Sequence, residues 1–174
     1  MATPAAPRRA RIAGALALGL ALLLAVPAGA AEWGGIIPGT TTMEQVRARY
    51  GGPTKTSTQK SEGYDTAQWI YEAGQAPAGI LRMTVDFGLL SGGTFRGNVV
   101  RSFRLEPRPG IFTRRMIVMG WGEPSHVSPR GQMPPSFLYQ SGLLVTFDKD
   151  ARVAETMLFT PPQPHVPTTP SSKP

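Results

Sequence analysis

The chain of 174 residues contains no cysteine. That excludes disulfide bridges, thiolate metal sites and a cysteine-borne lipid anchor. Its stability must then come from a packed core. Histidine occurs only twice, as His126 and His165, which leaves a zinc centre almost no ligands. Acidic residues number 11, against 18 lysines and arginines. A paired-carboxylate hydrolase needs two acids facing across a cleft, and most acids here fall at turns or at wet strand positions. A Ser-His-acid triad needs a serine aimed by a rigid element and a buried acid behind the histidine. His126 stands among the serines of a proline-rich loop, which supplies neither. No catalytic residue, cofactor site or metal site is therefore assigned. Asp148-Lys149-Asp150 begins like a calcium loop but lacks the glycine at the sixth place and the later glutamate. It reads as a polar hairpin turn.

Long apolar runs are scarce as well. The exception is Ile12 to Val26, preceded by Arg8, Arg9 and Arg11 and followed by Pro27 and Ala28-Gly29-Ala30. Its length, about fifteen residues, falls short of the roughly twenty that span a bilayer. A positive n-region, a short apolar run and a small-x-small site are the marks of a secretory signal peptide. Residues 1–30 are expected to be that signal, and the mature protein to be periplasmic or secreted with no stable membrane anchor. Arg8-Arg9 resembles a twin-arginine signal, but Arg11 stands where that motif prefers an apolar residue, so ordinary secretion is expected. Cleavage after Ala30 would leave 144 residues (174 − 30), enough for one domain. At the other end, residues 161–174 read PPQPHVPTTPSSKP, with no acid and little apolar content. Such a segment cannot bury enough surface to offset its ordering entropy and is expected to be a disordered tail.

What the chain has in abundance is repetition. Pro38-Gly39 returns as Pro109-Gly110, and Tyr50-Gly51-Gly52-Pro53-Thr54 returns as Trp121-Gly122-Glu123-Pro124-Ser125. Both matches are offset by 71 positions (109 − 38 and 121 − 50). Trp69-Ile70-Tyr71 and Val85-Asp86-Phe87 find counterparts in Phe137-Leu138-Tyr139 and Val145-Thr146-Phe147. Repeats of this kind mean one supersecondary unit used more than once. Each unit opens with a short helix. Thr41 or Thr42 caps the first, and Met43, Val46 and Tyr50 fall on one face before Gly51-Gly52-Pro53 stops it. Thr113 caps the second, with Met116, Ile117 and Trp121 apolar and Gly122 and Pro124 as the stop. Alternating runs follow. Leu81, Met83, Val85 and Phe87 interleave with Arg82, Thr84 and Asp86, and Leu143, Val145 and Phe147 interleave with Leu144, Thr146 and Asp148, the period of half-buried strands. Further strands are expected near Val99 to Leu105 and Arg152 to Phe159. The fold class this order predicts is α+β: two tandem units, each a helix plus three or four strands, forming one antiparallel sheet with short helices packed on one face. The tandem domain spans about 31–160, with repeat one near 35–106 and repeat two near 107–160.

The string PGTTTMEQVRARYGGPT, the aromatic strand at Trp69 and the hairpin phrase from Val145 to Val153 resemble a known repeat. It is that of the bacterial outer-membrane assembly lipoproteins of the SmpA/OmlA (BamE-like) family and of the β-lactamase inhibitory protein. The tandem arrangement resembles the inhibitor more closely, while the absent lipidation cysteine departs from the assembly lipoproteins. Members of this group bind other proteins, and the resemblance implies a non-enzymatic protein-binding function here. It implies no particular binding residue.

The two copies differ mainly in their loops, where function tends to reside. Tyr71 to Val85 spans 14 steps against 6 from Tyr139 to Val145, and Val85 to Val100 spans 15 against 8 from Val145 to Val153. The long Gly88–Gly97 hairpin offers Leu89, Leu90 and Phe95 as anchors for a protein partner, with Arg96 beside them. The sheet's second face is the other candidate surface, with Tyr64, Trp69, Tyr71 and Tyr139 as aromatic contacts if they are not core. A second function class rests on the arginine-rich junction. Arg96, Arg101, Arg104, Arg108, Arg114 and Arg115 are opposed there only by Glu106, and could dock an anionic envelope polymer or lipid. Nucleic acid is not an expected partner, since secretion removes it and no basic-aromatic module is present.

Overall fold

A computed structural model of the chain describes residues 29–129, 131 and 133–162. The expected signal (residues 1–28 of it) and the tail from residue 163 lie outside the described residues. The described residues form one eight-stranded antiparallel sheet, two α-helices of eight residues each and a short 3-10 turn at Ala73–Gln75. The elements are α1 (Met43–Tyr50), β1 (Lys55–Ser61), β2 (Tyr64–Glu72), β3 (Ile80–Ser91), β4 (Thr94–Pro107), α2 (Arg114–Trp121), β5 (His126–Val127), β6 (Ser136–Tyr139), β7 (Leu143–Phe147) and β8 (Ala154–Phe159).

The α+β expectation is overturned: the fold is mainly β. Neither helix is long enough to make a layer. α1 buries only Val46 and α2 only Ile117, while Met116 and Met119 stand exposed. Two turns of helix cannot bury more, so the sheet carries the core. Its covered face is closed by Val46 and Ile117 together with Ala31 and Ile36 of the N-terminal segment, and Trp33, Phe112 and Trp121 pack at the margin.

The strand order is β1-β2-β3-β4-β8-β7-β6-β5. It reads the same from either edge if β5 to β8 are matched with β1 to β4. The halves meet where β4 pairs β8, through Phe103↔Phe159, Arg104↔Leu158 and Leu105↔Met157. Each helix N-cap makes a bridge at the last strand of its own half, Thr42 to Val99 within β4 and Thr113 to Val153 just before β8. Carried along the strands, that 54-residue offset (153 − 99) makes Arg104 and Leu158 equivalent. A pseudo-twofold axis therefore passes between them.

The shared sequence builds the same contacts twice. Thr42 accepts from the Gln45 amide and Thr113 from the Met116 amide. Gly51 (φ 75°) and Gly122 (φ 79°) take the left-handed cap, where a Cβ would be strained, and their amides close onto Arg47 and Val118. The hydroxyls of Tyr71 and Tyr139 then donate to the Gly51 and Gly122 carbonyls, at 3.2 Å in both cases. Trp69 meets Phe87 edge-on at 4.8 Å, as Phe137 meets Phe147 at 4.8 Å. An arginine lies over the first aromatic of each pair, Arg47 over Trp69 and Arg114 over Phe137. Along the central strands Met83, Val85, Phe87, Leu143, Val145 and Phe147 are all buried, as alternation requires. Leu81 breaks the pattern at 48% exposure, because a bulge between Ile80 and Arg82 turns Ile80 inward in its place.

Candidate functional site

The sheet has a second face that no described element covers. Buried Phe103 and Leu105 flank Arg104, so Arg104 projects away from the core. Pairing carries its level across all eight strands: His126, Leu138, Leu144, Leu158, Arg104, Thr84, Ile70 and Lys55 stand opposite one another in turn. On one side of the axis the row is leucine. Leu138 is 40% exposed, and Leu144 and Leu158 are half-buried by their neighbours alone.

On the other side the open face is polar, and its acids are already engaged. Asp86 accepts from the Gln68 amide at 2.8 Å and from the Ser102 hydroxyl at 3.1 Å. Glu72 joins Lys55 and Arg82, and Arg82 continues to Glu106 at 3.8 Å. The hydrogen bond from Lys55, reinforced by Arg82, holds the Glu72 carboxyl below its ordinary range. Arg104 forms no ion pair among the described residues. The face thus presents a guanidinium without an ion pair beside three leucines, with the acids of the first half engaged elsewhere.

The structure divides the residues singled out from sequence. The Gly88–Gly97 hairpin is mostly strand: β3 runs to Ser91 and β4 starts at Thr94, joined by Gly92-Gly93 with φ 57° and 78°. That is the two-residue turn that suits twisted hairpins. Between Val85 and Val100 the extra length of the first copy is extra strand, 12 and 14 residues in β3 and β4 against 5 and 6 in β7 and β8, whereas between Tyr71 and Val85 part of it is the connection at residues 73–79, with a short 3-10 turn at Ala73–Gln75. Leu89 and Arg96 pair and face the Gly39 turn, where Arg96 donates to the Gly39 carbonyl at 3.2 Å. Leu90 and Phe95 pair on the opposite side. There Phe95 stacks on Tyr64 at 4.4 Å and lies over Gly88, where a Cβ would come within 3.1 Å of its ring. Leu90, 42% exposed, is the member of the four that projects as an apolar anchor.

The arginine-rich junction is split between the two faces. Arg104 belongs to the open face, and so does Arg101, which sits at the bulge between the Asp86 and Phe87 pairings and lines the hollow beside Tyr64 and Phe95. Arg108 lies in the linker, and Arg114 and Arg115 occupy the first turn of α2, on the core side that Ile117 enters. Trp69, Tyr71 and Tyr139 are core; Tyr64, 38% exposed, belongs to the open face. His126 is exposed opposite Leu138. Asp148 accepts from the Arg152 and Val153 amides and closes the hairpin turn. Sequence reasoning missed Leu138, Leu144 and Leu158. Their signal was apolar residues at both parities, in Leu143-Leu144 and in Met157-Leu158-Phe159, which means apolar surface on both faces.

No family model matches the chain, and no curated protein matches it. A solved structure that resembles it is a DUF4309 family protein (YjgB) from Bacillus subtilis subsp. subtilis str. 168, at 10% identity and a TM-score of 0.37, covering 73% of this chain and 82% of that one. A likeness that distant carries no argument about fold or function.

Proposed function

We propose that this chain is an exported, non-enzymatic protein-binding module whose recognition surface is the open face of the sheet. The observation that supports it is the row through Arg104: an arginine without an ion pair beside the pseudo-twofold axis, with Leu158, Leu144 and Leu138 on one side and Thr84 and Ile70 on the other. Apolar anchors around an arginine that a partner can desolvate are the chemistry of an interface centre. The fitting partner presents a carboxylate set among apolar side chains, so that its charge meets Arg104 while its apolar groups cover the leucines. The resemblance to repeat proteins that act by binding other proteins supports the same reading.

A photocrosslinking residue at Leu144 or Leu158 tests it against one at Met119, on the other side of the molecule. A single partner should be captured from envelope extract at the first two positions and not at Met119, and Arg104→Glu should abolish the capture. Equal capture from both sides, or capture indifferent to Arg104→Glu, would overturn the proposal.

A further inference from the structure

A second site lies on the core side of the second half. A cavity of about 630 Å³ opens between the first turn of α2, the strands β6 and β7 and the turn after β7. Val127, Met133 and Pro135 supply its accessible apolar surface, buried Phe137 and Phe147 form its floor, and Arg114 and Lys149 supply charge. Among the described residues no acid lines it. Asp148, next to Lys149, is turned into the hairpin, where its Oδ1 accepts from backbone amides. The Arg114 guanidinium is held 4.5 Å above the Phe137 ring, a cation–π contact that fixes its position. Neither Arg114 nor Lys149 forms an ion pair among the described residues.

The matching place in the first half shows that this is not a by-product of the repeat. There the hollow is about 220 Å³, lined by Met43, Glu44, Arg47 and Trp69. Arg47 lies 5.2 Å over Trp69, the counterpart of Phe137, and Glu44 supplies the opposite charge. Met43 occupies the position of Arg114 (114 − 71). The second half thus replaces a small, neutralised hollow by a larger one carrying two free cations. It also puts Arg114 and Arg115 into the first turn of a helix, where positive charge is disfavoured, while α1 carries Glu44 there.

We propose that this cavity binds a monocarboxylate with an apolar body. The carboxylate would pair with Arg114 and Lys149, and the body would lie against Val127, Met133 and Pro135. The volume is that of an ordinary small-ligand pocket, and an arginine fork pre-set on an aromatic ring suits the planar carboxylate. An acyl chain and the free C-terminus of a peptide both offer this chemistry.

Titration calorimetry on the full chain, with amide shifts followed by NMR, separates the sources. Octanoate is the acyl probe, acetyl-Phe-Leu with a free C-terminus the peptide probe, and octanol the uncharged control. Saturable binding of at least one carboxylate is expected, tighter for the true source, with shifts at Val127, Ser136 and Phe137. Octanol should bind at least about tenfold more weakly. Arg114→Gln should weaken the carboxylate by about tenfold or more, and Arg114→Lys by less, since it keeps the charge and loses the fork. Arg115→Gln and Arg104→Glu should leave binding unchanged, which keeps this site distinct from the open face. Binding of neither carboxylate, binding indifferent to Arg114→Gln in a folded protein, or equal binding of octanol would each overturn the proposal.

Discussion

The two halves of the sheet share a scaffold and divide the work. The first half has the long strands, a seven-residue polar edge in β1 and an open face whose acids are all engaged. The second has short strands, a two-residue edge in β5, leucines on the open face and two free cations beside a cavity. Identical contacts hold both together: the threonine cap, the left-handed glycine and the tyrosine hydroxyl on its carbonyl. Duplication supplies the fold, and divergence between the copies leaves one half polar and the other available for apolar and anionic contacts.

The largest effect should come where the halves join. Phe103 and Phe159 are fully buried and stack at 4.4 Å across the three-residue β4–β8 ladder. Each truncation to alanine should cost about 3–5 kcal/mol in a denaturant titration, and a double-mutant cycle should show coupling of about 0.5–1.5 kcal/mol. Additive losses would mean that the halves are independent at this seam.

Next come the matched tyrosines. Tyr71→Phe and Tyr139→Phe each leave a glycine carbonyl without its donor, and should each cost about 1–2 kcal/mol, alike in the two halves. Burial raises the pKa of both hydroxyls, and of Tyr50 in the first half. A raised folded value favours the protonated, folded state. Its stabilisation is therefore fully present below the unfolded value near 10 and is lost as pH rises through the folded one. Melting temperature should fall above about pH 10, less steeply in either phenylalanine variant. A large difference between the two variants would break the equivalence.

Smaller effects should sharpen the contrast. Arg115→Glu gives α2 the first-turn acid that Glu44 gives α1, and should stabilise the protein by about 0.3–1 kcal/mol at low salt. Glu72→Gln should remove an acid-side dependence confined to the first half. The folded value of Glu72 is lowered, so its stabilisation exists above the unfolded value and disappears as pH falls through the folded one. Exposure and salt keep that effect small.

Much of this was legible in the sequence. The caps at Thr42 and Thr113, the stops at Gly51 and Gly122, and the inward faces of β3 and β7 follow from local rules that the structure obeys. The class did not follow. KTSTQKS in β1 has no apolar alternation, because an edge strand with both faces wet needs none, and β5 is too short to leave a pattern. With two strands unread, two short helices weighed too much. The hairpin at 88–97 was legible, but its glycines were read as flexible, whereas Gly88 makes room for the Phe95 ring and only Gly92-Gly93 forms the turn. The candidate surface was the least legible part. Arg104 was visible only as one arginine among six, and its place in the leucine row depends on strand pairing across a junction that no local rule specifies.

The central claim is that the open face, centred on Arg104, is the recognition surface. Its most direct test is the affinity for the captured partner of the wild type, Arg104→Glu and Arg115→Glu, at fixed ionic strength. Both variants make the same charge change, on opposite sides of the sheet. Arg104→Glu should weaken binding by about a hundredfold or more, the cost of putting like charges together in a desolvated contact, while Arg115→Glu should stay within about twofold of wild type, as a charge outside the interface does. Equal weakening by the two, or a larger loss with Arg115→Glu, would contradict the account.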